Sequence, residues 1–171
     1  MQRDAMTKLK AWKDKSQRKP LLLRGARQTG KTWLLKELGR TEFEALAYVD
    51  LLASSRARDI FDRDFDIPRI VSALSVESGT KIEAGKTLIV LDEIQEVPRA
   101  LTALKYFCQD APDYHVAAAG SYLGIAKHEG VSFPVGKVNM LSLEPMSFLE
   151  FCFSQGKSFG FHKIDFSVVT E

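Results

Sequence analysis

The sequence predicts an α/β fold, a three-layer α/β/α sandwich with a mainly parallel sheet of about five strands. Short apolar runs, of which 87–91 is the clearest, are typical of strands that are buried on both faces. Segments with apolar residues at helical spacing alternate with these runs along the chain. Because the crossovers between parallel strands are right-handed, the helices should cover both faces of the sheet.

The individual strands and helices follow from this spacing and from start and stop signals. Pro68 and Pro98 stand at first-turn positions of two expected helices, and Gly39 is placed to end another helix as its C-cap. The expected strands are 21–25, 45–51, 87–91, 115–119 and 137–143, and the expected helices are 4–16, 29–38, 56–65, 68–76 and 98–107.

Length and composition predict one globular domain. The chain has 171 residues, of which 45% are hydrophobic and 27% charged, and this is typical of a single core. We expect residues 1–19 to form an N-terminal helix that packs on a core domain of residues 20–152. The aromatic segment 153–171 should be either a tail that packs back on this core or the start of a missing C-terminal region.

Charge and hydropathy give little support for binding to nucleic acid or to a membrane. The net charge of +2 creates no strong overall field. The basic residues within 8–19 could contact a phosphate backbone, but such a run is usually a solvated helix face. No apolar run approaches the roughly 20 residues that span a bilayer, and the charged N-terminus lacks a signal-peptide core, so we expect a cytoplasmic protein.

The cysteines and histidines predict neither a disulfide nor a zinc site. Cys108 and Cys152 lie far apart in apolar surroundings and lack C-x-x-C spacing, so we expect reduced thiols in the core. His115, His128 and His162 share no metal-ligand spacing with these cysteines.

Residues 25–32 (GARQTGKT) match the pattern G-x-x-x-x-G-K-[ST] of a phosphate-binding loop at every constrained position. The alternative, a glycine-rich turn of another α/β protein, fits less well because this segment follows a buried apolar run and opens a helix. Glycines let the backbone approach phosphate oxygens, and the helix N-terminus adds the positive end of its dipole. Lys31 would reach the β- and γ-phosphates, while the Thr32 hydroxyl would bind Mg²⁺. The expected nucleotide-binding residues are Gly25, Ala26, Arg27, Gln28, Thr29, Gly30, Lys31, Thr32 and Trp33.

An acidic pair follows the apolar run 88–91 and so should lie at the carboxyl end of a buried strand, where open α/β sheets bind ligands. Such a pair alone is more often a solvated strand end. Placed downstream of the phosphate-binding loop, it instead predicts hydrolysis. Asp92 would hold Mg²⁺ through its water shell, and Glu93 would orient and polarise the attacking water.

Ser121 follows a strand of small residues at 115–120 and is a third, weaker candidate for a catalytic residue. It could sense the γ-phosphate or help to place the water. A helix-capping or turn serine is the equally good alternative.

The segments 21–32 (LLLRGARQTGKT), 91–95 (LDEIQ), 120–121 (GS) and 136–151 (GKVNMLSLEPMSFLEF) together resemble the prokaryotic AAA-type (AAA_14-like) P-loop ATPases that carry a C-terminal DUF4143 region. The resemblance covers most of residues 5–152. It implies an additional-strand ATPase core and the usual roles for Lys31, Thr32, Asp92, Glu93 and Ser121. Lys137 departs from the family pattern, because many relatives carry arginine there, and we expect the larger C-terminal region of the family to be missing from this chain.

The leading interpretation is an enzyme that binds ATP and Mg²⁺ and hydrolyses ATP to drive a conformational change in an attached or partner domain. A nucleotide-dependent switch with little hydrolysis and a small-molecule phosphotransferase are the alternatives. No guanine-reading Asn-Lys-x-Asp sequence occurs, and the preference for adenine follows from the resemblance. Arg24, Arg27 and Arg99 are the arginines nearest the motifs, yet we favour an arginine supplied through self-association or by the C-terminal region.

Overall fold

The computed structural model describes residues 4–122, 125 and 133–146. In chain order its elements are α1 (Asp4–Lys13), β1 (Leu21–Gly25), α2 (Lys31–Glu42), β2 (Ala45–Asp50), α3 (Ser55–Asp62), α4 (Ile67–Ser78), β3 (Thr87–Asp92), a 3₁₀ turn (Ile94–Glu96), α5 (Pro98–Asp110), β4 (His115–Ser121) and β5 (Asn139–Leu143). The predicted segment 153–171, together with Cys152, His128 and His162, lies outside the described residues.

The five strands form one parallel sheet in the order β2-β3-β4-β1-β5. The predicted α/β class and parallel sheet are therefore confirmed. β4 lies between β1 and β3, so this additional strand separates the strand before the phosphate-binding loop from the strand that ends in Asp92. The carboxyl ends of all five strands meet at one edge of the sheet.

Successive side chains of each strand point to opposite faces of the sheet, so the core is divided into two parts, one on each face. In β1, Leu21 and Leu23 pack with α1 and α2, whereas Leu22 packs with α3, α4 and α5 on the other face. β3 and β4 are buried along their whole length, as expected for central strands between two helix layers. Helix α1 contributes Leu9 and Trp12 to the face that contains Leu21 and Leu23. The domain boundaries at residues 19 and 152 remain predictions.

The main correction to the predicted elements concerns α2, which continues through Gly39 to Glu42. Gly39 is not a C-cap. A Cβ atom at this position would lie 2.7 Å from the Leu46 Cδ1 atom, so the glycine permits close packing of α2 on β2. The C-capping glycine of the described helices is Gly79, which ends α4 with φ of 65°. Cys108 is half-buried rather than part of the core.

None of the helices within residues 4–122, 125 and 133–146 is long and apolar enough to cross a membrane. The cytoplasmic localisation remains a prediction.

His115, the first residue of β4, is a buried histidine on the α1 face of the sheet. Its ring makes T-shaped contacts with the rings of Trp12 and Phe43, with centroid distances of 6.2 and 4.9 Å. Burial, together with the positive charges of Arg18 and Lys13, lowers the pKa of His115 to about 4. The imidazole is therefore neutral in the folded protein at neutral pH.

This buried imidazole should make the protein less stable as the pH falls. An unfolded histidine binds a proton near pH 6.5, whereas folded His115 does so only near its pKa of about 4. Stability is therefore full above the unfolded pKa and is lost progressively as the pH falls toward the folded pKa, by about 1 to 2 kcal/mol between about pH 7 and about pH 5. Urea denaturation at both pH values should show a smaller difference in the His115→Phe variant than in the wild type. An equal difference in both proteins would contradict this assignment.

Candidate nucleotide-binding site

The loop between β1 and α2 has the backbone geometry that its sequence predicts. Gly30 caps the N-terminus of α2 with φ of 91°, and its carbonyl accepts the first helical hydrogen bond from Leu34 N. Gln28 also has a positive φ, 62°, which is uncommon for a residue with a side chain. Within the loop, the Thr29 hydroxyl donates to the Ala26 carbonyl at 2.9 Å. The loop thus turns sharply back onto the helix N-terminus, a geometry suited to anions.

Packing against the neighbouring strand requires glycine at position 25, in addition to the requirement of the loop motif. A Cβ atom here would lie 2.4 Å from the Leu143 carbonyl oxygen of the neighbouring strand β5. The clash is with backbone, which cannot move without breaking the β1–β5 pairing. Gly25 therefore permits the strand packing that positions the loop.

Lys31 is a buried cation at the start of α2, with 7% of its surface exposed. Its Nζ donates to the carbonyls of Ala26 at 2.6 Å and Gly25 at 3.2 Å. Burial lowers the pKa of Lys31 below its ordinary value, and the negative charges of Glu93 and Asp92 oppose this shift. The ammonium group is held within the curve of the loop and faces the acidic pair.

Thr32 and Asp92 connect the loop to the acidic strand. The Thr32 Oγ1 hydroxyl donates to Asp92 Oδ2 at 2.7 Å, and Asp92 is 4% exposed. Its other oxygen, Oδ1, accepts from Glu93 N at 3.0 Å. A hydroxyl and a carboxylate oxygen at this separation match the hard oxygen ligands that Mg²⁺ prefers, so these residues fit the predicted ion.

Glu93 lies directly after β3 with φ of 51°, a left-handed conformation that is uncommon for a glutamate. Its carboxylate Oε2 accepts a hydrogen bond from Gln95 Nε2 at 2.5 Å. Backbone and side chain are therefore both constrained.

A cleft of about 580 Å³ opens beside the loop and the acidic strand. It brings predicted nucleotide-binding residues together with Glu93. Its lining residues are Arg27, Gln28, Gly30, Lys31, Thr32, Trp33, Leu52, Glu93 and Glu96. Trp33, one of the predicted nucleotide-binding residues, is 39% exposed and lines this cleft.

Ser121 lies at the same edge of the sheet, but it does not line this cleft. It ends β4 and pairs in register with Gly25 of β1. It is buried, with 9% of its surface exposed. The structure thus places it beside the first residue of the phosphate-binding loop, and its catalytic role remains a prediction.

The sequence did not predict two residues that contact the candidate site. The Tyr48 hydroxyl of β2 donates to Asp92 Oδ2 at 2.9 Å, and Gln95 donates to Glu93. Burial raises the pKa of Tyr48, and the negative charge of Asp92 raises it further, so the phenol remains a proton donor. The available signals were a tyrosine among the apolar residues of β2 and a glutamine between Ile94 and Val97.

The three arginines nearest the motifs differ in their surroundings. Arg99 donates to the Phe61 carbonyl at 2.7 Å and stacks on Phe65, so it belongs to the α3–α5 packing. Arg24 donates to Ser142 Oγ at 3.2 Å. Arg27 is exposed and lines the cleft.

Within the described part of the chain, no group of three or more His, Cys, Asp or Glu residues is arranged to hold a metal ion. The assignment of Thr32 and Asp92 as Mg²⁺ ligands remains a prediction.

The chain belongs to the AAA domain family (AAA_14), because residues 17–152 match that family. This match defines an AAA-type P-loop ATPase domain, for which the family implies ATP binding. The association with a DUF4143 region is not part of the match.

A solved structure shows a similar fold. The Walker-type ATPase PABY2304 of Pyrococcus abyssi superposes with a TM-score of 0.58 and 18% sequence identity over 87% of this chain. The chain spans 55% of the length of that protein. A structure described as the basis for DNA unwinding at forked double-stranded DNA by two coordinating Pif1 helicases gives a TM-score of 0.49 and 10% identity over 86% of this chain and 44% of the other. No curated protein matches the chain in sequence.

The Tyr48–Asp92 hydrogen bond should contribute to stability because it partners a buried carboxylate. Tyr48→Phe should lower the free energy of unfolding by about 1 to 3 kcal/mol. Tyr122→Phe is a matched control, because the Tyr122 hydroxyl donates to the Glu144 carboxylate at the same distance of 2.9 Å but on the exposed surface. This control should cost roughly 0.5 kcal/mol or less. Equal losses in urea denaturation would show that Tyr48 does not support Asp92 in the interior.

Proposed function

We propose that this domain binds ATP with Mg²⁺, hydrolyses the phosphoanhydride bond and uses the turnover to drive a conformational change in an attached or partner domain. The hydrogen bond between Thr32 and Asp92 supports this proposal, because it joins the phosphate-binding loop to the acidic pair. A binding loop alone would support only nucleotide binding. The adjacent Glu93, which lines the same cleft, supports hydrolysis.

The residues divide the reaction between them. Lys31 would bind the β- and γ-phosphates after exchanging its contacts with the Gly25 and Ala26 carbonyls for phosphate oxygens. Thr32 and Asp92 would hold Mg²⁺, which neutralises charge on the phosphates when bound. Glu93 would orient a water for attack on the γ-phosphorus and polarise it.

An arginine from a second copy of the chain or from a C-terminal region would complete this site. Phosphoryl transfer develops charge on the equatorial oxygens, which an arginine can stabilise by about 10³- to 10⁵-fold in rate. Arg99 and Arg24 have other partners, and Arg27 suits a contact with the bound nucleotide. Self-association or a C-terminal region would supply this group.

Glu93→Gln should separate binding from hydrolysis, because the amide keeps the shape of the side chain but lacks the carboxylate that polarises the water. In single-turnover assays we expect the hydrolysis rate to fall roughly 100-fold or more, with unchanged ATP affinity. Glu44→Gln is the matched control, since Glu44 is exposed, directly precedes β2 and does not line the cleft, and its rate should equal that of the wild type.

Equal rates for Glu93→Gln and wild type would contradict the role of Glu93. Absence of hydrolysis by the wild type at every protein concentration would favour the nucleotide-dependent switch. A rate that rises with protein concentration would support an arginine from a second copy.

A further inference from the structure

Gln95 is a buried glutamine in the 3₁₀ turn that follows Glu93, with 8% of its surface exposed. Its Nε2 donates to Glu93 Oε2. The opposite orientation of the amide would place its oxygen against the carboxylate, which accepts hydrogen bonds and cannot donate one when ionised. Glu93 therefore fixes which way the Gln95 amide points.

The oxygen of this amide has no hydrogen-bond partner within the described residues. Gln95 Oε1 is buried, and no donor within residues 4–122, 125 and 133–146 reaches it. Burying an unpaired acceptor is unfavourable, so an apolar side chain of similar length would serve stability at least as well. The hydrogen bond to Glu93 is what distinguishes a glutamine from such a residue.

Gly120 of β4 provides the room that the amide occupies. A Cβ atom at Gly120 would lie 2.7 Å from Gln95 Oε1 and 2.9 Å from Ile125 Cδ1. Gly120 does not have a positive φ, so its backbone does not itself require glycine. The glycine instead leaves space for the Gln95 amide, which a side chain at position 120 would displace.

We propose that Gln95 is a positioning residue, which holds the carboxylate of Glu93 in the orientation that activates the attacking water. This inference rests on the proposed hydrolytic function. Glu93 is constrained twice, by its left-handed backbone and by the Gln95 amide, and a reacting group needs such a fixed orientation. Within the described residues, the Gln95 side chain forms no hydrogen bond with the phosphate-binding loop or with Asp92. Its loss should therefore affect the chemical step rather than nucleotide binding.

Gln95→Met tests this inference because methionine keeps the length and bulk of the side chain and removes the amide. The single-turnover rate should fall roughly 10- to 100-fold, the loss expected for one hydrogen bond to a charged group. ATP affinity and melting temperature should match those of the wild type. Gln17→Met makes the same change at an exposed glutamine that precedes the amino-terminal end of β1, away from the loop. It should leave the hydrolysis rate, the ATP affinity and the melting temperature unchanged.

Gly120→Ala provides a second test that leaves both Gln95 and Glu93 in place. The two atoms that would lie within 3.0 Å of the added Cβ are ends of side chains, so the variant should fold with the Gln95 amide displaced. Its hydrolysis rate should fall several-fold with unchanged ATP affinity. Combined with Gln95→Met, the alanine should cause little further loss, because the hydrogen bond is already absent.

The outcomes separate this inference from the proposed function. Hydrolysis by the wild type with an equal rate in Gln95→Met would overturn the role of Gln95 alone. A variant that loses ATP affinity and melting temperature in proportion to its rate would show a structural role instead. Fully multiplicative effects of the two substitutions would likewise contradict a shared action on Glu93. No hydrolysis by the wild type would overturn the proposed function itself.

Discussion

The hydrogen bond from Thr32 to Asp92 is the contact on which the site depends. It joins the first turn of α2 to the end of β3, although β4 separates β3 from the strand that leads into α2. Without it, the phosphate-binding loop and the acidic pair would be two features at one sheet edge. With it, a buried carboxylate is tied to the loop, and the charges of Glu93 and Asp92 act on Lys31.

Small side chains in the separating strand make this connection sterically feasible. β4 carries three consecutive alanines at 117–119 and Gly120, all buried. Ala117 and Ala119 lie on the α2 face, and Ala118 lies on the face of α5 and the 3₁₀ turn. Larger residues there would push both layers away from the sheet. The composition of one strand therefore controls how closely the loop and the acidic pair approach.

The sequence predicted what local patterns determine. The phosphate-binding loop, the acidic pair and the five parallel strands follow from spacing within short segments, and the structure has all of them. Tyr48 and Gln95 could not be predicted, because their roles depend on strand register and on the turn after Glu93. Gly39 was misassigned for the same reason, since its close contact with Leu46 exists only after α2 packs on β2.

Calorimetric titration of ATP with Mg²⁺ into wild type and Lys31→Ala tests the central claim, that this loop and the acidic strand form one nucleotide site. Lys31 is the buried cation of the loop, and its loss should weaken ATP binding roughly 10- to 100-fold, as expected for removing hydrogen bonds to a charged group. Lys8→Ala, at an exposed lysine of α1, is the control and should bind as the wild type does. Unchanged affinity in a folded Lys31→Ala variant would remove Lys31 from the site and contradict the assignment of the loop.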